Sequence, residues 1–270
     1  MNNYDLIILG GGPGGYNAAF RAAELGKKVA IVDDNNLGGV CLNWGCIPTK
    51  SLLKNAEVID LINTSESYGI SVKDIAVDFE SIVSKSVQAR QRLSKGLHHQ
   101  VKKHNIDFHA GFGTFTDKNT IMVNDTTITA ETFIIATGSK PKTLPNLNAS
   151  EVVYAKDIFQ MKSIPKSMTI IGAGAIGVEF AYFFNSFGTN VTLIEAEDTI
   201  LPHEDKEVSQ WIEKVFKKKK INVLTGTLAD NIDDEKVLIS VGVKGNSTGM
   251  GLKGLGLEFS DNNHIAVNEH

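Results

Sequence analysis

The chain has 270 residues, 42% of them hydrophobic and 21% charged, the composition of a soluble globular protein with one large domain or two of ordinary size. Lys plus Arg number 27 against 31 Asp plus Glu, and this net charge of −4 argues against a nucleic-acid binder, which normally carries a basic face. No apolar run can span a bilayer, and the first one, residues 6–9, is too short for a signal peptide, so the expected address is the cytoplasm.

The first predicted unit occupies residues 4–34, YDLIILGGGPGGYNAAFRAAELGKKVAIVDD. It reads as a short apolar strand, a glycine turn, an amphipathic helix and a second apolar strand ending in an acid. Gly10, Gly12 and Gly15 make G-x-G-x-x-G, and Asp33 follows the first glycine by 23 residues. In such a pattern the first glycine permits the tight turn and the second lets a pyrophosphate approach the backbone. The third lets helix and strand pack closely. The helix N-terminus offers N–H groups and a positive dipole end to phosphate. Pro13 suits the first helical turn, where its missing N–H costs nothing. The acid accepts hydrogen bonds from a ribose diol.

Residues 38–48, GGVCLNWGCIP, follow directly and hold both cysteines of the chain, Cys41 and Cys46. Four readings compete: a metal clip, a structural staple, two inert thiols, or a redox pair. Structural zinc wants two close pairs of ligands, and the first histidine is His98. A disulfide across so short a loop gains on the order of 2–3 kcal/mol of chain entropy and is reducible in the cytoplasm. The neighbouring nucleotide unit favours the redox reading. A helix beginning at about Cys46 to Pro48 would stabilise a thiolate at Cys46. On the residues alone the other readings stay open.

Helices are then predicted over 47–65 and 78–105, the second capped by Asp78, with SYGISVKD as the loop between. Residues 106–139 switch to strand character, and 140–150, with Pro141 and Pro145, predict a crossing linker. Residues 167–197 repeat the first unit: Gly172, Gly174 and Gly177 form the turn, and Glu195 again lies 23 residues beyond the first glycine. Two complete copies predict two dinucleotide sites. Glu195 is followed by Ala196, Glu197 and Asp198, where a 2′-phosphate would meet carboxylates, so NAD is expected over NADP. Asp33 and Asp34 likewise suit a ribose without a phosphate. Residues 200–202 are expected to close the second strand of this copy. A helix over 204–219 ends in the basic block 217–220, read as a solvated helix end that suits the dipole. A strand over 221–225, a polar link over 228–235, a strand VLISVGV and a glycine-rich tail with one more strand complete the chain.

GGVCLNWGCIPTKSLLKNAEV resembles the redox-active segment of the flavoprotein disulfide reductases. Within that family LNWGCIPTK is more similar to the branch that oxidises dihydrolipoamide with NAD+ than to glutathione or mercuric reductases, and the resemblance runs from Tyr4 to about Glu269. It implies an α/β fold of two Rossmann-like units with three-layer β/β/α character. An FAD-binding domain would cover residues 1–145 and carry the cysteine pair; a shortened NAD-binding domain would cover 146–270. FAD would lie at Gly10, Gly12, Gly15 and Asp33, and at Thr137 and Gly138 of FIIATGSKP, with Gly111 and Gly113 on a strand near it. NAD would lie at Gly172, Gly174, Gly177 and Glu195. Lys50 would sit by the flavin ring and Glu179, its partner, by the nicotinamide; as bare residues both read as solvated helix positions. Cys41 would be the interchange thiol and Cys46 the one nearer the flavin, and dihydrolipoamide would reduce their disulfide. No metal is implied. The implied partner is the lipoyl domain of a 2-oxo acid dehydrogenase complex, the implied assembly a homodimer, with no nucleic-acid or membrane partner.

Against the family pattern, these residues pass almost directly from 221–225 to the next strand, without a strand insertion. They also do not contain the second flavin segment or the C-terminal interface domain with its His–Glu base. The expected consequences are weaker flavin retention and thiol exchange slower by about 10²–10⁴-fold. The alternatives carried forward are an FAD- and NAD-binding protein without turnover and another disulfide reductase.

Overall fold

The computed structural model describes residues 2–34, 37–145 and 147–269. In chain order its elements are β1 (Asn2–Leu9), α1 (Pro13–Glu24), β2 (Val29–Asp33), α2 (Gly39–Trp44), α3 (Cys46–Asn63), α4 (Phe79–Lys103), β3 (Asp107–Ala110), β4 (Gly113–Asp117), β5 (Thr120–Val123) and β6 (Thr126–Ile135). There follow β7 (Ser139–Pro141), β8 (Asn148–Ala149), β9 (Val152–Val153), α5 (Ala155–Ile158), β10 (Ser167–Ile171), α6 (Ala175–Ser186), β11 (Asn190–Ile194), α7 (Lys206–Lys218), β12 (Asn222–Leu224), β13 (Asn231–Ile232), β14 (Lys236–Ile239) and β15 (Val243–Gly245). They pack as two compact units interleaved along the chain. One comprises residues 1–46, 90–140 and 243–270, the other 47–89 and 141–242.

The first unit is built on a six-stranded sheet in the order β3-β2-β1-β6-β5-β4. β1 pairs in parallel with β2 and β6, and β2 with β3, whereas β4, β5 and β6 form an antiparallel run. The apolar run of β1 explains its central place, because both its faces are covered. Leu6 and Ile8 pack with Ala19 of α1 and Val101 of α4. Ile7 and Leu9 pack on the other side with Phe115, Ile121, Ile128, Met250 and Leu252. Ile7 and Ile8 are fully buried, each contributing roughly 1.5–3 kcal/mol by burial. Helices thus cover one face of the sheet, and the antiparallel strands with the chain's tail cover the other.

The second unit holds a five-stranded parallel sheet, β12-β11-β10-β14-β9. Its central helix α6, AIGVEFAYFFNS, is apolar nearly all round, as a helix covered on several sides must be. Phe180, Phe183 and Phe184 are fully buried, and Phe79 at the start of α4 lies against Phe183 with ring centroids 6.3 Å apart.

Most predicted elements stand, including the Asp78 cap, whose Oδ1 accepts from the Ser81 N–H at 3.0 Å. Seven expectations change, the first being the strand expected in the glycine-rich tail, where among the described residues only an isolated bridge, Phe259 to Ile265, forms. Residues 39–44, not predicted helical, form α2. The linker over 140–150 contains the end of β7 and the two-residue strand β8. Residues 200–202 do not extend a strand: β11 ends at Ile194, and buried Leu201, at φ 48°, donates its N–H to Ala173 O. The polar link over 228–235 contains β13, which pairs with β8. VLISVGV is broken after Ile239, and Gly242, at φ +92°, turns the chain into β15. Within the block 217–220, Lys219 is not solvated. Its side chain is 26% exposed and its Nζ donates to Asp60 Oδ2 at 2.6 Å, because a half-buried carboxylate on α3 outcompetes water for it.

Candidate functional site

Two glycine turns share one geometry. In the first unit Gly10 leaves β1 at φ +104°, and a Cβ there would lie 2.1 Å from Ala136 O. A Cβ on Gly15 would lie 1.8 Å from Gly10 O. In the second unit Gly172 takes φ +97° with a Cβ position 2.5 Å from Ser240 O, and Gly177 would collide with Gly172 O at 1.9 Å. The protein's own packing therefore requires the first and third glycines. It does not require the second. A Cβ on Gly12 would make only an ordinary contact, 3.6 Å from Gly39 Cα, and one on Gly174 would meet nothing within 4 Å. These two residues are the N-caps of α1 and α6, with extended backbone and no capping side chain. A bare backbone at a helix N-terminus facing open space is the cradle a phosphate needs, so the residues present fit a dinucleotide in both units.

The acids at the strand tips also match. Asp33 Oδ2 accepts from the Gly11 N–H at 2.5 Å. Glu195 Oε2 accepts from the Ala173 N–H at 2.6 Å, and its Oε1 from the Glu197 N–H at 3.0 Å. In each unit the acid bonds the residue after the first glycine, tying the tip of the second strand to the turn.

A cleft of about 270 Å³ opens at the ends of β1 and β2. Its walls include Gly10, Asp33, Gly111, Gly113 and Thr137, all of which the sequence singled out. Thr137 Oγ1 donates to Asn246 O at 2.7 Å, and Gly138, at φ +68°, accepts from the Asn246 N–H at 3.0 Å. Asp34, read with Asp33 as suiting a ribose, is also a wall residue; sequence reasoning missed Phe112, Lys140, Asn246, Thr248 and Met250. A signal existed in the glycines of the tail. A Cβ on Gly251 would lie 2.4 Å from Phe115 O, and the Phe115 N–H donates to Met250 O at 2.9 Å, so the tail lies tight along β4.

Cys41, in α2, and Cys46, the first residue of α3, are disulfide-bonded with Cα atoms 4.6 Å apart. Among the described residues no cluster of His, Cys, Asp or Glu could hold a metal ion. The loop is fastened to the first glycine turn: the Gly38 N–H donates to Gly11 O at 2.7 Å, and a Cβ on Gly39 would lie 2.6 Å from Gly12 Cα. The thiol centre and the first nucleotide cradle therefore share backbone contacts.

In the second unit Lys50 Nζ meets Glu179 Oε1 at 2.6 Å, linking α3 to α6. Lys50 is 62% exposed and Glu179 27%, so the pair contributes about 1 kcal/mol at most to stability. Farther along the same helices the Tyr182 hydroxyl donates to Asp60 Oδ2 at 2.8 Å, and Lys219 Nζ lies 5.0 Å from the Tyr182 ring centroid. Burial, then the hydrogen bond to Asp60 and its charge, push the Tyr182 phenol up to about 12. Burial and then Asp107 likewise push Tyr4 of β1 well above the ordinary phenol value.

A pair of dinucleotide cradles at the ends of parallel strands, one of them fastened to a disulfide loop, defines a nucleotide-binding protein with a thiol–disulfide centre. Comparison with known proteins gives the class its name, since residues 4–270 match the pyridine nucleotide-disulphide oxidoreductase family and the chain belongs to it. The chain is 39% identical to the dihydrolipoyl dehydrogenase of Acholeplasma laidlawii, over 99% of this chain and 85% of that protein. It is 38% identical to that of Zymomonas mobilis subsp. mobilis, over 98% of this chain and 63% of that one. It therefore spans under two thirds of the Zymomonas relative's length. Among solved structures, the HOCl-induced flavoprotein disulfide reductase RclA from Escherichia coli has the same fold, with TM-score 0.85 at 24% identity, over 98% of this chain and 62% of that one. No described helix is long and apolar enough to cross a membrane.

Proposed function

We propose that the chain carries the nucleotide-binding and dithiol parts of a dihydrolipoyl dehydrogenase, which oxidises dihydrolipoamide with NAD+. The relatives' names support this reading, and the observation that carries it is the fastening of the Cys41–Cys46 loop to the first glycine turn. FAD would be held by Gly10, Gly12, Gly15, Asp33, Gly113, Thr137 and Gly138, and NAD by Gly172, Gly174, Gly177 and Glu195. Along the chain the FAD-binding domain is assigned to residues 1–145 and the NAD-binding domain to 146–270, although residues 243–270 pack in the first compact unit and 47–89 in the second. When bound, FAD and NAD+ supply the electron and hydride acceptors that the side chains lack.

The chain's own residues handle the thiol chemistry. A thiolate of the dithiol substrate attacks Cys41 Sγ, the Cys41–Cys46 bond breaks, and Cys46 leaves as a thiolate. The second substrate thiolate then displaces Cys41 from the mixed disulfide. The substrate ends as a cyclic disulfide and the chain as a dithiol, two electrons richer. Cys46 suits the leaving role because it opens an 18-residue helix, whose positive end stabilises a thiolate. Lys50 is assigned to the flavin and Glu179 to the nicotinamide, and their ion pair holds the Lys50 ammonium in place. The lipoyl domain of a 2-oxo acid dehydrogenase complex is the proposed partner, a homodimer the proposed assembly and the cytoplasm the proposed address. Glu195, Glu197 and Asp198 disfavour the 2′-phosphate that an NADP-dependent glutathione-type reductase would need.

The test is NADH formation from dihydrolipoamide by the FAD-loaded chain. Activity is expected with NAD+ and not NADP+, and Cys41→Ser and Cys46→Ser should each lower it by at least about 10³-fold with FAD still bound. Turnover that survives Cys46→Ser, or a preference for oxidised glutathione with NADPH, would overturn the assignment.

A further inference from the structure

We infer that Arg90 and Asn43 hold the Cys41–Cys46 loop in place without help from the S–S bond, as positioning residues that keep the reduced dithiol ready to close. This rests on the redox reading of the pair and extends it to two residues that sequence patterns did not single out.

The problem the loop must solve is its own weakness. α2 has only six residues, begins after Gly38 at φ +109°, has no side-chain cap and ends at Gly45. A helix this short does not persist alone. Among the described residues, hydrogen bonds that do not involve sulfur hold it. Asn43, 5% exposed and lying between the two cysteines, donates its Nδ2 hydrogens to Gly39 O at 3.0 Å and Leu37 O at 3.3 Å. Half-buried Arg90 on α4 donates from Nη1 to the Asn43 carbonyl at 2.9 Å. That carbonyl lies in the last turn of α2, where acceptors lack helical partners, and a guanidinium there opposes the negative dipole end. Gly45 lets the chain return: a Cβ on it would lie 2.9 Å from Val40 O and 3.2 Å from Cys41 Cα. Gly38, through its N–H to Gly11 O, fixes the other end.

Breaking the S–S bond therefore leaves the backbone that carries both sulfurs anchored to α4 and to the glycine turn. Two thiols held in near-bonding geometry reclose more readily than two thiols on a slack loop, because the ordering entropy is already spent in the fold. Arg90 suits the task since its charge does not titrate away and its planar fork orients the bond.

The experiment equilibrates the full chain with reduced and oxidised glutathione. In this exchange the disulfide and two glutathiones become the dithiol and one glutathione disulfide, and alkylation followed by intact mass counts the thiols. It needs neither FAD nor dihydrolipoamide, so its failure and a failure of the lipoamide reading are distinguishable. Arg90→Ala is expected to lower the equilibrium constant for ring closure about tenfold, because without this charge-assisted hydrogen bond the reduced loop gains slack states that the closed loop cannot reach. Arg90→Lys should fall about threefold, since it keeps the charge but loses the fork. The melting temperature of the oxidised form tells lost folding from lost positioning, and if Arg90→Ala does not fold, Arg90→Lys and Asn43→Asp carry the test. A closure constant within twofold of the parent in the folded variants overturns the inference.

Discussion

Gly12 and Gly174 stand where no atom of the protein objects to a side chain, although both belong to turns whose other glycines are sterically obligatory. The alanine variants should therefore separate into two groups. Gly12→Ala and Gly174→Ala should fold with near-parent stability in urea, at most about 1 kcal/mol different. Gly12→Ala should weaken FAD binding alone and Gly174→Ala NADH binding alone, each at least about tenfold in titration. Gly15→Ala and Gly177→Ala drive a methyl into a backbone oxygen and should lower stability by roughly 1–3 kcal/mol or more. Unchanged nucleotide affinity in the first pair would show that the open space is not a phosphate cradle. At this scale the sequence was most legible, because spacing and residue type alone announce a glycine turn. The walls of the cleft were not legible, since Asn246, Thr248 and Met250 reach it from a distant part of the chain.

At the scale of elements, helices α3 and α6 are joined at two points, Lys50–Glu179 and Asp60–Tyr182, with Lys219 closing the second. The second has a pH signature. Folding raises the Tyr182 phenol to about 12 from the 10.0 of an unperturbed tyrosine. Below pH 10 the phenol is protonated in both states, and its contribution to stability is fully present. Between about 10 and 12 the unfolded chain loses the proton first, so stability falls as pH rises. Tyr4 is shifted in the same direction and adds the same sign. Tyr182→Phe should reduce the alkaline loss without abolishing it; unfolding curves from pH 9 to 11.5 check this, and an unchanged slope would refute the Tyr182–Asp60 coupling. Long helices such as α4 and α7 were legible from their pattern, and the start of α4 from its Asp78 cap; the cap of α7, Asp205, whose Oδ1 accepts from the Glu207 N–H, was not read. α2 was not, because tertiary bonds from Arg90 and the glycine turn make it, and propensity does not. The role of Lys219 was hidden for the same reason: a lysine in a basic run gives no sign of a carboxylate on a different helix.

For the whole molecule, the sequence repeat announced two nucleotide units but not their interleaving. Residues 243–269 fill one face of the first sheet through Met250 and Leu252, and the start of α4 joins the second unit through Phe79. Periodicity is local information, and such returns are set by which apolar faces remain to be covered. The central claim is that a thiol pair works beside a bound flavin, and the most direct measurement is an anaerobic absorption titration of the chain, first with FAD and then with dihydrolipoamide. We predict stoichiometric flavin uptake, then a broad band at wavelengths beyond the flavin's own as two thiols per chain appear, with no such band in Cys46→Ser. A chain that takes up no FAD, or a band that persists in Cys46→Ser, would contradict the account.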